Sequence, residues 1–174
     1  MRIFVEVILA FSLWSADSSG LKIISEGLHS PISDFVFKTL TQSGDGKTVL
    51  FGSMVYWSFW GYCEGSAMRS YVVGLGATSL FVQATKYVTN RARPDGQNTR
   101  TNSSFPSGHA TTAFYVASFY SSLHPEYKVP LYLWATGVSI SRVYLRRHWP
   151  SDIIVGAIIG YAGGKLFYKI REKF

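Results

Sequence analysis

The sequence predicts an all-α fold: a polytopic transmembrane helical bundle of five or six spans, with a short amphipathic helix at the membrane surface. Three observations predict it. Five apolar segments of helical length follow one another, most of them separated by brief polar turns. Charged residues make up only 16% of the chain, where a soluble domain carries about a quarter. Aromatic side chains are equally abundant at 16%, and a Gly-x3-Gly-x3-Gly series marks the last apolar segment.

The elements follow in order. Residues 1–15 form an apolar run after Met1-Arg2 that resembles a signal peptide, but Glu6 interrupts it and Trp14 is too bulky for the small-residue pattern before a cleavage site. We therefore expect a retained first helix, unusually short for a span. Pro31-Ile32-Ser33-Asp34, followed by Phe35, Val36, Phe37 and Leu40, reads as a capped amphipathic helix at the interface, with a loop packed on the bundle as the plainer alternative. The five apolar segments are 47–62, 70–88, 107–123, 129–145 and 149–168, each of 16 to 20 residues. These lengths lie near the lower limit of about 17 to 25 for a spanning helix. In the last of them Gly156, Gly160 and Gly164 recur every four residues, the spacing at which helix backbones approach closely.

One domain, 1–174, accounts for the length, and no repeat or linker divides it. A formal net charge of +7 is compatible with nucleic acid or with anionic lipid, but the basic residues form no run or stripe. Many stand at the ends of apolar segments, which points to a lipid bilayer and away from nucleic acid. Cys63 is the only cysteine, so an intramolecular disulfide is excluded and the residue is expected simply to pack. No obligate protein partner is inferred.

Only the connection at 90–106 is long, and structureless loops of that length are usually functional or disordered. Around it lie three clusters of ionisable residues beside apolar segments, where such groups are costly unless paired or functional. The first is Lys86 with Arg93-Pro94, the second Pro106-Ser107-Gly108-His109, the third Ser141-Arg142 with His148 and Asp152. If each segment crosses once, all three clusters reach the same membrane face. Lys86 and Arg93 are seven residues apart, so both point to one side if their helix runs on to Pro94. With Arg142 they supply three cations, suited to the equatorial oxygens of a phosphoryl group.

Ser107-Gly108-His109 opens a helix after a proline and offers backbone N–H groups and a positive dipole end to an anion. His109 stands where it can protonate a leaving oxygen. Pro150 suits the first position of the last helix, and Asp152 in that first turn can accept a hydrogen bond from one ring nitrogen of His148, freeing the other to attack phosphorus. Plainer readings stand beside each: snorkelling for the cations, helix capping for Asp152, a satisfied bundle histidine for His109, a bond to its own helix for Ser141. His29 and His124 read as structural or surface residues.

Taken together, Lys86-x6-Arg93-Pro94, Pro106-Ser107-Gly108-His109 and Ser141-Arg142-x5-His148-x3-Asp152 resemble the three-part signature of the type 2 phosphatidic acid phosphatase superfamily, with every signature position present. The resemblance implies a phosphohistidine intermediate on His148, oriented by Asp152, with His109 as general acid. Lys86, Arg93, Ser107, Gly108 and Arg142 would hold the phosphate, with no metal and no cofactor. It further implies a phosphorylated membrane lipid as substrate and a bacterial inner-membrane location with the site facing the periplasm.

Arg91, Arg100, Arg146 and Arg147 exceed what one phosphate requires, so Arg100 and Arg147 are candidate head-group ligands. Lipid A, at its glycosidic phosphate, is the preferred substrate; phosphatidylglycerophosphate and undecaprenyl diphosphate also fit. Competing readings are phosphoryl transfer to another lipid, a vanadate-dependent haloperoxidase, and a non-catalytic lipid-binding protein.

Overall fold

The computed structural model describes residues 2–60, 65–97 and 99–174, with side chains from 15 onward except at 60. Cys63 lies outside the described residues. Among those described, seven α-helices succeed one another and no strand occurs: α1 (Arg2–Gly27), α2 (Pro31–Ser43), α3 (Gly46–Trp60), α4 (Gly65–Thr89), α5 (Gly108–Leu123), α6 (Lys128–Tyr144) and α7 (Pro150–Lys169). The five apolar segments thus become α3 to α7.

The first segment does not stop near Ala16 as its apolar run suggested. It continues as a polar helix to Gly27, and its buried Asp17 docks it on the start of α7. The segment after it is a helix and not a loop: the Ser30 hydroxyl caps it by accepting the Ser33 N–H at 3.1 Å, and Pro31 occupies its first turn. This α2 packs on α6, with the Phe37 and Tyr144 rings 4.3 Å apart, while Ile32, Phe35 and Val36 stay exposed.

At the centre of the bundle, α5 is sandwiched between α6 and α7. The glycine series explains how close α7 comes. A Cβ at Gly156 would sit 2.7 Å from the Ser107 carbonyl, one at Gly160 would strike the Thr111 carbonyl, and one at Gly164 would strike Ser118. Backbone meets backbone along this seam, which draws the beginnings of α5 and α7 together. The apolar core lies below, where Tyr71, Tyr115 and Phe119 are fully buried beside Trp57, Leu75 and Val116.

One boundary departs from expectation. Helix α4 ends at Thr89, because Asn90 adopts φ 45°, a left-handed conformation that an α-helix cannot continue through. Arg93 is therefore not two helical turns from Lys86 and reaches the same region from a loop.

No helix among the described residues is long and apolar enough to cross a membrane. Helices α3, α5 and α6 have only 15, 16 and 17 residues, and the longer α4 and α7 are diluted by Gly, Ser, Thr, Tyr and Lys. Large apolar side chains are nevertheless turned outward, including Leu50, Phe51, Met54, Phe59, Leu80, Phe81, Leu133, Ile154 and Ile158.

Candidate active site

The 91–106 loop is closed on itself and tied to the helix ends around it. Ser104 N donates to the Arg91 carbonyl at 2.8 Å, and the Ser103 hydroxyl accepts the Arg91 N–H at 2.8 Å. Gly96, at φ 82°, forms a turn in which its N–H donates to the Arg93 carbonyl at 3.0 Å. Lys86, buried at the end of α4, donates to the Ser103 carbonyl at 2.6 Å. Arg93 is held by the Asn102 carbonyl and amide oxygen, at 3.0 and 2.6 Å, and by the Arg147 carbonyl at 3.0 Å. Both cations are aimed by backbone oxygens, which fix their direction and leave their charge uncancelled.

Arg142 completes the trio from the last turn of α6. One guanidinium nitrogen donates to Thr41 at 2.6 Å, while the buried Nε finds no hydrogen-bond partner among the described residues. An unpaired buried donor costs about 1–3 kcal/mol, and an anion oxygen is the natural acceptor among three cations. Ser107 caps α5 and its own N–H donates to the Asp152 carbonyl at 3.1 Å. Gly108 and His109 therefore occupy the first helical positions, whose N–H groups have no intrahelical acceptor. A cavity of about 220 Å³ is lined by Lys86, Gly108 and His109 together with Gly44, Gly46 and Gln83.

His148 arrives from a tight reversal: Arg146 takes φ 53°, and the N–H groups of Arg147 and His148 both return to the Arg142 carbonyl, at 2.9 and 3.2 Å. Its ring is 2% exposed. Nδ1 lies 2.7 Å from the Ser104 carbonyl, and because a carbonyl only accepts, Nδ1 carries the proton. Nε2 is left with its lone pair. Burial above all, reinforced by Arg142, Arg93 and Lys86 and opposed by Asp152, pushes the His148 pKa down to about 4, so the ring is neutral at pH 7.

The orienting bond differs from the one expected. Asp152 Oδ2 stands 3.7 Å from Nδ1, beyond a hydrogen bond, because its oxygens are occupied elsewhere. They accept from Arg91 at 2.7 Å, from the Ser104 hydroxyl, and from the Trp149 N–H at 2.9 Å. Asp152 thus caps α7 and clamps Ser104, whose carbonyl holds the ring. Asp17, from α1, closes the network through Arg91 at 2.6 Å, the Ser151 N–H at 2.8 Å and the Ser151 hydroxyl at 2.6 Å.

Ser104 and Asp17 were not singled out as site residues, their only signal in the sequence being polarity beside apolar helices, and Arg91 was noted only among the surplus arginines. Ser141 donates to the Val138 carbonyl of its own helix, in line with its plainer reading.

The surplus arginines are mostly neutralised nearby. Arg91 pairs with Asp17 and Asp152, Arg146 with Glu26 at 2.9 Å, and Arg147 with Asp95 at 3.0 Å. Arg100 stands apart, exposed and stacked 5.5 Å over Tyr87. His29 and His124 lie away from the cluster, hydrogen-bonded to Tyr144 and Tyr56.

A family model of the PAP2 superfamily matches residues 67–174, which contain every signature position. The chain belongs to the PAP2 superfamily. Among PAP2 relatives, it is 40% identical over 112 residues to a lipid A 1-phosphatase of Porphyromonas gingivalis, covering 62% of this chain but only 24% of that protein. A lipid A 4'-phosphatase of Bacteroides thetaiotaomicron is 30% identical over 176 residues, covering 88% of this chain and 76% of the relative. The chain spans half the length of a third relative, a lipid A 1-phosphatase of Rhizobium etli, at 34% identity over 119 residues and 56% of this chain.

Two solved structures share the PAP2 fold. Aquifex aeolicus LpxE matches with a TM-score of 0.75 at 25% identity, covering 88% of this chain and 94% of that one. A transmembrane PAP2-type phosphatidylglycerolphosphate phosphatase from Bacillus subtilis matches with a TM-score of 0.80 at 22% identity, over 99% and 94%.

Proposed function

We propose that this chain is an integral membrane lipid phosphatase that removes a phosphate from lipid A through a phosphohistidine on His148, without a metal. The observation that carries this reading is the meeting of Lys86, Arg93 and Arg142 with the rings of His109 and His148 at facing ends of α4, α5, α6 and α7. Arg93 and Arg142 act electrostatically on both rings and Lys86 on that of His148, and a phosphate is the anion that such an arrangement accommodates.

In this mechanism the Nε2 lone pair of His148 attacks phosphorus while the three cations and the N-terminus of α5 hold the equatorial oxygens. The P–O bond to the lipid breaks, and the departing oxygen takes the proton of His109. Water then attacks the phosphohistidine, His109 accepts its proton, the P–N bond breaks and inorganic phosphate leaves. The Ser104 carbonyl keeps the proton on Nδ1 throughout, with Asp152 beside the same nitrogen as its charged partner.

Lipid as the substrate class is supported by the outward-facing apolar side chains and by a crevice of about 780 Å³ between α3, α5 and α6, lined by Val49, Gly52, Val116, Leu131 and Trp134. Ser43 and Thr48 at its margin flank the turn beside His109. The outward apolar surface also supports a membrane location, proposed as the inner membrane with the site on the periplasmic face. Lipid A is favoured by the names of the three relatives, and the 1-phosphate by two of them.

The test is phosphate release from purified protein presented with lipid A, phosphatidylglycerophosphate and undecaprenyl diphosphate. Lipid A should turn over fastest. His148→Ala should abolish release while the protein stays folded, and denaturing wild type during turnover should trap phosphate in an acid-labile, base-stable linkage. An active His148→Ala protein would overturn the mechanism, and label passing to an acceptor lipid instead of water would replace hydrolysis by transfer.

A further inference from the structure

Two histidines stand in one field of cations, yet the proposed chemistry needs them in opposite protonation states: 148 neutral to attack, 109 charged to protonate the leaving oxygen. Arg93 and Arg142 act on both rings in the same sense, so they do not favour a charged His109. Asp152 does not supply it, since it stands beside His148 and favours the charged form of that ring instead. A carboxylate from outside the three signature segments does reach His109. Asp45, in the turn between α2 and α3, places Oδ1 3.8 Å from His109 Nε2.

The turn is built to hold it there. Asp45 Oδ2 accepts the Lys47 N–H at 3.0 Å and its carbonyl accepts the Val49 N–H at 2.9 Å, so the residue caps α3 with one oxygen and faces His109 with the other. Gly44 before it is pressed against Val138 of α6, where any Cβ would collide, and Gly44 and Gly46 line the cavity that contains His109. The groups facing the ring are Arg142 from α6, Arg93 and His148 from the loops, Lys86 across the cavity, and Asp45. Asp45 is the carboxylate in that set.

We propose that Asp45 is a positioning residue for the general acid, its carboxylate favouring the charged form of His109 against the cations that surround the ring. The inference rests on the histidine mechanism above. At 3.8 Å the carboxylate attracts the charge without taking the hydrogen bond, so the Nε2 proton stays directed at the ester oxygen. As the P–O bond breaks, that proton passes to the oxygen and the ring becomes neutral.

Leaving-group dependence tests this. Octyl phosphate must depart as an alcohol and needs the proton, whereas 2,4-dinitrophenyl phosphate departs as a stable anion. Asp45→Asn keeps the helix cap and should lower kcat on the alkyl ester about tenfold more than on the aryl ester, with KM little changed, a fraction of the roughly 10²–10⁴-fold that general acid catalysis supplies. Asp45→Glu should recover most of the alkyl activity. Equal losses on both esters, or no loss on either, would overturn the role of Asp45. His148→Ala serves as the separate control: its inactivity on both esters upholds the parent mechanism, and its activity would overturn that mechanism whatever Asp45 does.

Discussion

A neutral, fully enclosed histidine and a carboxylate shared by three donors set the behaviour of this protein at the residue scale. Because the His148 pKa in the fold, about 4, lies below the usual histidine value of about 6.5, the unfolded chain binds more protons between those values. Stability contributed by this ring is therefore present above pH 6.5 and declines as pH falls toward 4. Chemical denaturation in detergent should show wild type losing at most about 3 kcal/mol more than His148→Gln across that window.

Arg91 is the second point of leverage. Removing it leaves Asp17 and Asp152, 5% and 0% exposed, without their shared partner. Arg91→Gln should cost about 3–5 kcal/mol, read as a lowered denaturation midpoint, and should reduce activity by loosening Ser104 beneath the His148 ring. Which residues were polar and stood beside apolar helices was legible from the chain. Their pairing was not, since Asp17, Arg91 and Asp152 are brought together from separate elements.

Among the elements, the seam between α5 and α7 matters most, because it joins the helix that begins at Ser107 to the one that begins at Pro150. Gly160→Leu would drive a side chain into the Thr111 carbonyl, force the two backbones apart and separate His109 from His148. Loss of activity with intact helical circular dichroism and a lower unfolding temperature is the expected result. Gly52 offers the contrasting case. A Cβ there meets nothing within 4 Å, and the residue lines the crevice between α3, α5 and α6, so Gly52→Phe should fold and fill it. Hydrolysis of long-chain phospholipids should fall several-fold while short-chain analogues are spared; equal rates would remove the crevice from substrate binding.

Helix identities were legible in the apolar lengths and in Pro31, Pro150 and the glycine series. The end of α4 was missed: Asn90 belongs to a residue type that tolerates the left-handed conformation, but the loop it feeds is fixed by Ser103 and Ser104 contacting residues on other elements.

For the molecule as a whole, the outward-facing apolar side chains of α3, α4, α6 and α7 predict behaviour that no single helix does. The protein should stay with membranes after alkaline carbonate washing and require detergent for release; recovery in the soluble fraction would contradict the membrane reading. The sequence by itself determined the helical class, the sequence positions of α2 to α7 within a few residues, and the three clusters whose meeting could be counted from helix ends. Those properties follow from local patterning, in which apolar length, helix punctuation and motif spacing are written along the chain. Only the tertiary structure decided that the Ser104 carbonyl takes the hydrogen bond of the His148 ring while Asp152 stands 3.7 Å from it, that most of the surplus arginines are paired, and that Asp45 faces His109. Such assignments depend on which polar atoms the packed helices bring within about 3–4 Å, a distance scale set by backbone contact between α5 and α7 and absent from any stretch of sequence.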